Sequence, residues 1–284
     1  MGVARHGTGP MAALRAFGSQ VHPVFMLPPV AASWFGSVLA GSFSPAVGAV
    51  HALAVFFAVY TAHVKDGYVD FHLRGEDDDH PLSVGGCRLA LVGATLGFVA
   101  CLAALWALVG PAAAAVTLPC WVIGYLHAPQ LDMRAATTTL GYPTGISLAI
   151  LGGYYVQTES FAATPLAFAL VFLVILTGVK IIDDSKDYAY DRSIDKQTVA
   201  VLFGRRDARR LAYGFLVAGL SLVAVFALVG VFPTGAVLAA AALGVVVAVS
   251  ARTTDPALAT MLLVRGSYVF LALLVVAVWY RPFS

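Results

Sequence analysis

Two acidic clusters stand out in a chain that is otherwise poor in charge. The first spans Lys65 to Leu82 and holds Asp66, Asp70, Glu76, Asp77, Asp78 and Asp79. The second spans Lys180 to Thr198 and holds Asp183, Asp184, Asp187, Asp191 and Asp195. Asp66 and Asp70 are four residues apart; Asp183, Asp187 and Asp191 repeat that step twice, and Asp184 sits three before Asp187. On a helix these steps bring carboxylates to one face. Like charges so placed oppose the helix by about 0.2–0.5 kcal/mol per pair, so the stripe needs a cation on it. Oxygen-only donors suit a hard ion such as Mg²⁺, which keeps waters and phosphate oxygens beside one or two carboxylates. Lys65, Arg74, Lys180, Lys186, Arg192 and Lys196 are interleaved with the acids. Carboxylates alone would suit a metal store; mixed with cations they suit a metal-chelated diphosphate. The run Glu76–Asp79 reads equally well as a solvated loop.

The elements that carry these clusters are membrane helices. Of the 284 residues, 60% are hydrophobic and 11% charged, against roughly 45–50% and 25% in soluble domains. Apolar runs recur near 22–42, 46–65, 87–109, 112–128, 139–158, 163–182, 210–230, 234–250 and 257–280, each close to the roughly 20 residues that cross a bilayer as a helix. They are rich in Ala, Leu and Val and lack the alternation of a barrel strand. The expectation is an all-α membrane protein of about nine transmembrane helices, a single polytopic domain over 1–284. Residues 1–20 form a basic tail, and 66–86 and 183–209 are Asp-rich loops. With the N-terminus inside, the polar loops 66–86, 129–138, 183–209 and 251–256 all fall on the inner side. Only Arg281 and Glu159 then carry charge outside, as the positive-inside rule requires. Cys87, Cys101 and Cys120 lack metal-ligand spacing and read as small apolar helix residues.

The second cluster, Asp183 to Asp191 followed by Asp195 to Gly204, resembles the second motif of the UbiA superfamily of membrane prenyltransferases, and Tyr125 to Arg134 is similar to that family's loop after helix four. The first cluster departs from the pattern: Asp66 stands in place of the usual Asn, Asp70 keeps a family Asp, and the last Asp falls on Arg74. In a second register Lys65 takes the Asn place and Asp70 is displaced by one.

The resemblance implies a helical bundle with a central cavity open to the cytoplasmic side, in a multi-pass cell-membrane protein with its N-terminus in the cytoplasm. It implies Mg²⁺-dependent transfer of an isoprenyl group from an isoprenyl diphosphate donor to a lipophilic or aromatic acceptor, with release of diphosphate. A quinone precursor, an ether lipid and a carotenoid all remain open as acceptor. Asp66, Asp70, Asp184, Asp187 and Asp191 are then the expected metal ligands, with Asp66, Asp70, Asp187 and Asp191 central to catalysis. Asp183 ranks below its neighbour, because adjacent helical residues do not face one metal. Lys65, Arg134 and Lys186 are the expected phosphate contacts. Tyr68, Tyr125 and Tyr188 are the expected aromatic partners of the allylic cation. Membrane lipids surround such an enzyme, and no nucleic-acid partner is expected.

A terpene cyclase would use the same site without an external acceptor. A CDP-alcohol phosphotransferase also begins its motif with Asp-Gly, but the rest of that motif does not follow Asp66-Gly67. A transporter would carry ionisable residues deep within its helices, whereas here Arg265 stands nearly alone within a span. His22, His51, His63 and His127 read as packing or interfacial residues, with His22 nearest an acceptor pocket.

Overall fold

The computed structural model describes residues 2–280, and these are all-helical. The α-helices are α1 (Pro10–Gly18), α2 (Pro23–Leu39), α3 (Pro45–Gly67), α4 (Val84–Leu108), α5 (Pro111–Leu126), α6 (Ala135–Thr158), α7 (Ala163–Asp184), α8 (Tyr188–Ser193), α9 (Val199–Phe203), α10 (Arg205–Leu228), α11 (Ala236–Ser250) and α12 (Pro256–Tyr280). α2 to α7 and α10 to α12 fall on the nine apolar runs. Six spans among the described residues are long and apolar enough to cross a membrane: Pro45–Arg74, Val84–Leu108, Pro111–Leu131, Ala163–Asp184, Arg205–Leu228 and Pro256–Tyr280, built on α3, α4, α5, α7, α10 and α12. α2 and α11 are apolar but shorter. α6 has the length but includes Thr137, Thr138, Thr139, Gln157 and Thr158. Arg281 lies outside the described residues.

Local chemistry sets the boundaries. Proline opens α1, α2, α3 and α5, where its missing N–H costs nothing. Ser83 Oγ accepts from Gly86 N at 3.0 Å to start α4, and Thr198 Oγ1 accepts from Val201 N at 3.3 Å to start α9. Within the bundle, α2 and α6 approach closely because Gly36 lies on the Ile150 carbonyl and Gly153 on the Ser33 carbonyl, each leaving no room for a Cβ. Small residues permit such backbone contact where lipid supplies no hydrophobic drive.

The polar segments gather at one end. Arg74 reaches Asp132 at 2.6 Å, Gln197 N donates to the Met133 carbonyl at 3.0 Å, and Arg209 donates to the carbonyls of Ala251 and Thr253 at 2.8 and 2.6 Å. At the other end Ser44 N donates to Gln157 Oε1 at 2.8 Å and Thr164 Oγ1 to the Val231 carbonyl at 3.2 Å. The four segments placed on one side by alternation are therefore neighbours.

Three stretches read from the sequence as loops or tail contain helix. The stretch 66–86 is not a loop throughout: α3 continues past Asp66 into a π-helical turn, Tyr68–Arg74, closed by Gly75 at φ 64°. Buried Val64 and Val69 keep that stretch packed, so the helix persists beyond the apolar run. Residues 183–209 likewise hold the end of α7 and the short helices α8 and α9. Residues 1–20, the basic tail, include α1. Ala16 of α1 packs with Val64, Leu82, Cys87 and Ala90, and Tyr60 Oη donates to the Phe17 carbonyl at 3.0 Å.

Candidate active site

A cavity of about 660 Å³ opens at the polar end between α2, α3, α5, α6, α7 and α12. Its mouth carries Asp66, Asp70, Asp77, Asp79, Lys180 and Asp183. Its body is walled by apolar residues such as Val55, Ala58, Ile123, Ile146, Leu176 and Val179, with Tyr142 and Tyr268 among them. A polar mouth on an apolar body suits a ligand with a charged head and a hydrocarbon tail.

Asp66, Asp70 and Asp183 come from the C-terminal ends of long helices, and Asp77 and Asp79 from the loop before α4. α3 and its π-helical extension present Asp66 and Asp70. α7 presents Lys180 and Asp183, whose ions are 3.7 Å apart. Of the neighbours Asp183 and Asp184, it is Asp183 that borders the cavity. Asp184 turns inward, is 4% exposed and pairs with Lys180, while its Oδ2 is buried without a partner. Lys186 pairs with Asp183 and lies 3.8 Å from Asp187. Asp187 is half exposed between α7 and α8, and Asp191, on α8, is 2% exposed with Lys196 at 3.5 Å. Burial pushes both carboxyls above the usual carboxylate range. For Asp187, Lys186 pulls the other way and Asp183 adds to the rise; for Asp191, Lys196 pulls back and Asp184 adds. The accessible, half-compensated oxygens of Asp187 are what a divalent cation stabilises. The donor set fits Mg²⁺.

Arg74 occupies the place of a third acid. It pairs with Asp70 at 3.2 Å and with Asp132 at 2.6 Å, and its Nη2 donates to Met133 Sδ at 3.1 Å. The residue that removes a ligand from the first motif thus ties the end of α3 to the 129–134 segment. Asp132, 5% exposed with Oδ1 unpartnered, was not singled out in the sequence. Its signal was there: an acid two residues before Arg134, within the Tyr125–Arg134 stretch.

Several expected contacts lie off the cavity wall. Lys65 sits with its ammonium 4.4 Å from the Tyr125 ring, which stacks on Trp121 at 4.9 Å. Tyr68 packs in the cluster of Ala16 and Cys87, and Tyr188 lies under the Arg205 guanidinium at 4.9 Å. Arg134 is exposed at the start of α6. Arg265 is exposed on the outer face of α12. The aromatic side chains facing the cavity are instead Tyr142, Tyr268 and Phe25, with His22, His63, His80 and His127 beside them. His22 and His63 have ring centroids 5.2 Å apart, and His127 Nε2 lies 3.8 Å from Asp66. These three histidines, scattered in sequence, converge because α2, α3 and the end of α5 meet at the mouth. No spacing rule connects them. His51 is apart from them, fully buried with Nδ1 2.7 Å from Ser33 Oγ.

Solved structures share this architecture. A digeranylgeranylglyceryl phosphate synthase superposes with a TM-score of 0.73 at 13% identity, covering 95% of this chain and 98% of that one. A UbiA homologue from Aeropyrum pernix K1 gives 0.71 at 14%, covering 90% and 98%. One from Archaeoglobus fulgidus, bound to DMAPP and Mg²⁺, gives 0.63 at 16%, covering 95% and 99%. At these identities the likeness is one of fold. No curated protein matches the sequence. The profile of the UbiA prenyltransferase family matches residues 26–274, nearly the whole bundle and both acidic motifs, and the chain belongs to that family.

Proposed function

We propose that the chain binds an isoprenyl diphosphate with Mg²⁺ at the polar mouth and transfers the isoprenyl group to a lipophilic acceptor inside the membrane. The observation that carries this reading is the single cavity that joins an acidic and cationic mouth to an apolar body. The A. fulgidus fold neighbours bound to DMAPP or GPP with Mg²⁺ support it.

In this reading Asp66, Asp70, Asp183 and Asp187 hold the metal, with Asp183 taking the place first given to Asp184. Asp184 and Asp191, buried beside Lys180 and Lys196, anchor those lysines. Bound Mg²⁺ supplies positive charge to the diphosphate. Lys180 and Lys186 add their own charge as the allylic C–O bond breaks and its electron pair leaves with the diphosphate. The apolar walls keep water from the allylic cation, and the faces of Tyr142 and Tyr268 stabilise it. The acceptor then donates an electron pair to the cation and loses a proton. The nine helices α2 to α7 and α10 to α12 cross the bilayer in this scheme, and the mouth faces the cytoplasm.

The test is diphosphate release from isoprenyl diphosphates of several chain lengths by purified protein with Mg²⁺. Asp70→Ala and Asp187→Ala should abolish release in folded protein. Undiminished release in both variants would remove the metal assignment.

A further inference from the structure

Behind the first acidic cluster lies a second group of metal-ligating side chains with a different chemistry. His72 comes from the π-helical turn, His80 from the loop after it, and Cys87 from the first turn of α4. One donor atom from each lies within 4.8 Å of the other two. Cys87 is fully buried and His80 is 4% exposed.

Both imidazoles lean on one carbonyl. His72 Nε2 and His80 Nδ1 each lie 3.1 Å from the Leu82 carbonyl oxygen. A ligating imidazole uses its second nitrogen in this way, donating to a backbone carbonyl that fixes tautomer and ring orientation. The other nitrogen of each ring then keeps a lone pair. For His80 that atom is Nε2, which is buried and has no partner. The opposite tautomer, in which Nδ1 accepts from Leu82 N at 3.2 Å, leaves a buried N–H at Nε2 with no acceptor, so neither satisfies the ring in the absence of a ligand.

We propose that His72, His80 and Cys87 bind a zinc ion. Two imidazoles and a thiolate suit zinc and disfavour magnesium, so this site is chemically distinct from the acidic mouth. Three protein ligands leave a fourth position for water. On binding, the Cys87 thiol gives its proton to solvent and the thiolate bonds the metal. The ion joins the π-helical turn to α4 and fixes the loop between them. That loop carries Asp77 and Asp79, which border the cavity, and its far side is already held by the N-terminal arm, with Arg5 N donating to the Pro81 carbonyl at 2.9 Å and Ser83 N to the Val3 carbonyl at 3.0 Å.

The test uses the full chain in detergent, stripped with a chelator and then given zinc alone, or cobalt alone as a spectroscopic probe. Elemental analysis should find about one zinc per chain after desalting, and cobalt should give a thiolate-to-metal charge-transfer band. A Cys101→Ala/Cys120→Ala variant should keep both signals, and Cys87→Ala in the same background should lose the band. Asp187→Asn should still retain zinc, which separates this site from the magnesium site. Absence of bound zinc in the wild-type chain overturns the proposal even if Cys87→Ala does not fold. So does a charge-transfer band that survives in Cys87→Ala.

Discussion

Arg74 bridges two carboxylates, Asp70 at 3.2 Å and Asp132 at 2.6 Å. From spacing it marks a lost ligand; in the fold it is the counter-ion of Asp132, a carboxylate nearly sealed from water. Removing one member of a buried pair leaves the other uncompensated. Arg74→Ala should therefore lower stability by about 3 kcal/mol, seen as a fall in Tm, and Arg74→Met with Asp132→Leu should recover most of it. A Tm for Arg74→Ala equal to wild type would mean the pair contributes nothing. The neighbours Asp183 and Asp184 separate in a related way. Asp183→Asn should reduce diphosphate release while Tm holds. Asp184→Asn should lower Tm, because it weakens the compensation of the half-buried Lys180. Spacing puts both acids within one turn of Asp187 but on different faces, and which of them meets the cavity depends on where α7 rolls against its neighbours, which no local pattern encodes.

At the scale of elements, the apolar runs were legible to within a few residues because length and hydropathy are local properties. The fate of residues 66–74 was not. Whether α3 stops at Lys65 or continues past Asp70 depends on burying Val64 and Val69, and part of what covers Val64 comes from α1 and α4. Basic composition likewise hid α1, whose packing uses only a few apolar side chains. Contact between helices was equally silent. Gly36 and Gly153 read as unremarkable small residues within apolar runs, yet each receives a carbonyl of the partner helix. Gly153→Ala should force α2 and α6 apart and lower stability by about 1–3 kcal/mol, the usual cost of overpacking. Gly93→Ala, at a position on α4 with open space around it, is the control and should leave Tm unchanged or slightly raised.

For the whole molecule, the topology turns on α6. Its two ends are the 129–138 segment, tied to the acidic mouth through Asp132 and Met133, and Glu159, at the end where Ser44 meets Gln157. If α6 crosses the bilayer, the polar segments at 66–86, 129–138, 183–209 and 251–256, with the Lys and Arg residues they carry, share one side, as the positive-inside rule demands. If it does not, every later helix reverses and Arg205, Arg206, Arg209 and Arg210 change sides relative to Arg74. Yet α6 is among the more polar of the long helices, so hydropathy alone does not decide its crossing. The three native cysteines are buried and should resist a membrane-impermeant maleimide. Single cysteines introduced at the exposed positions Ala136 and Glu159 should therefore report the two ends of α6 separately. In intact cells Glu159→Cys should be labelled from outside, as should Ser42→Cys. Ala136→Cys and Asp207→Cys should react only after the membrane is opened. Labelling of Ala136→Cys in intact cells would turn the acidic mouth away from the cytoplasm, and labelling of both ends of α6 would remove it from the count of crossings.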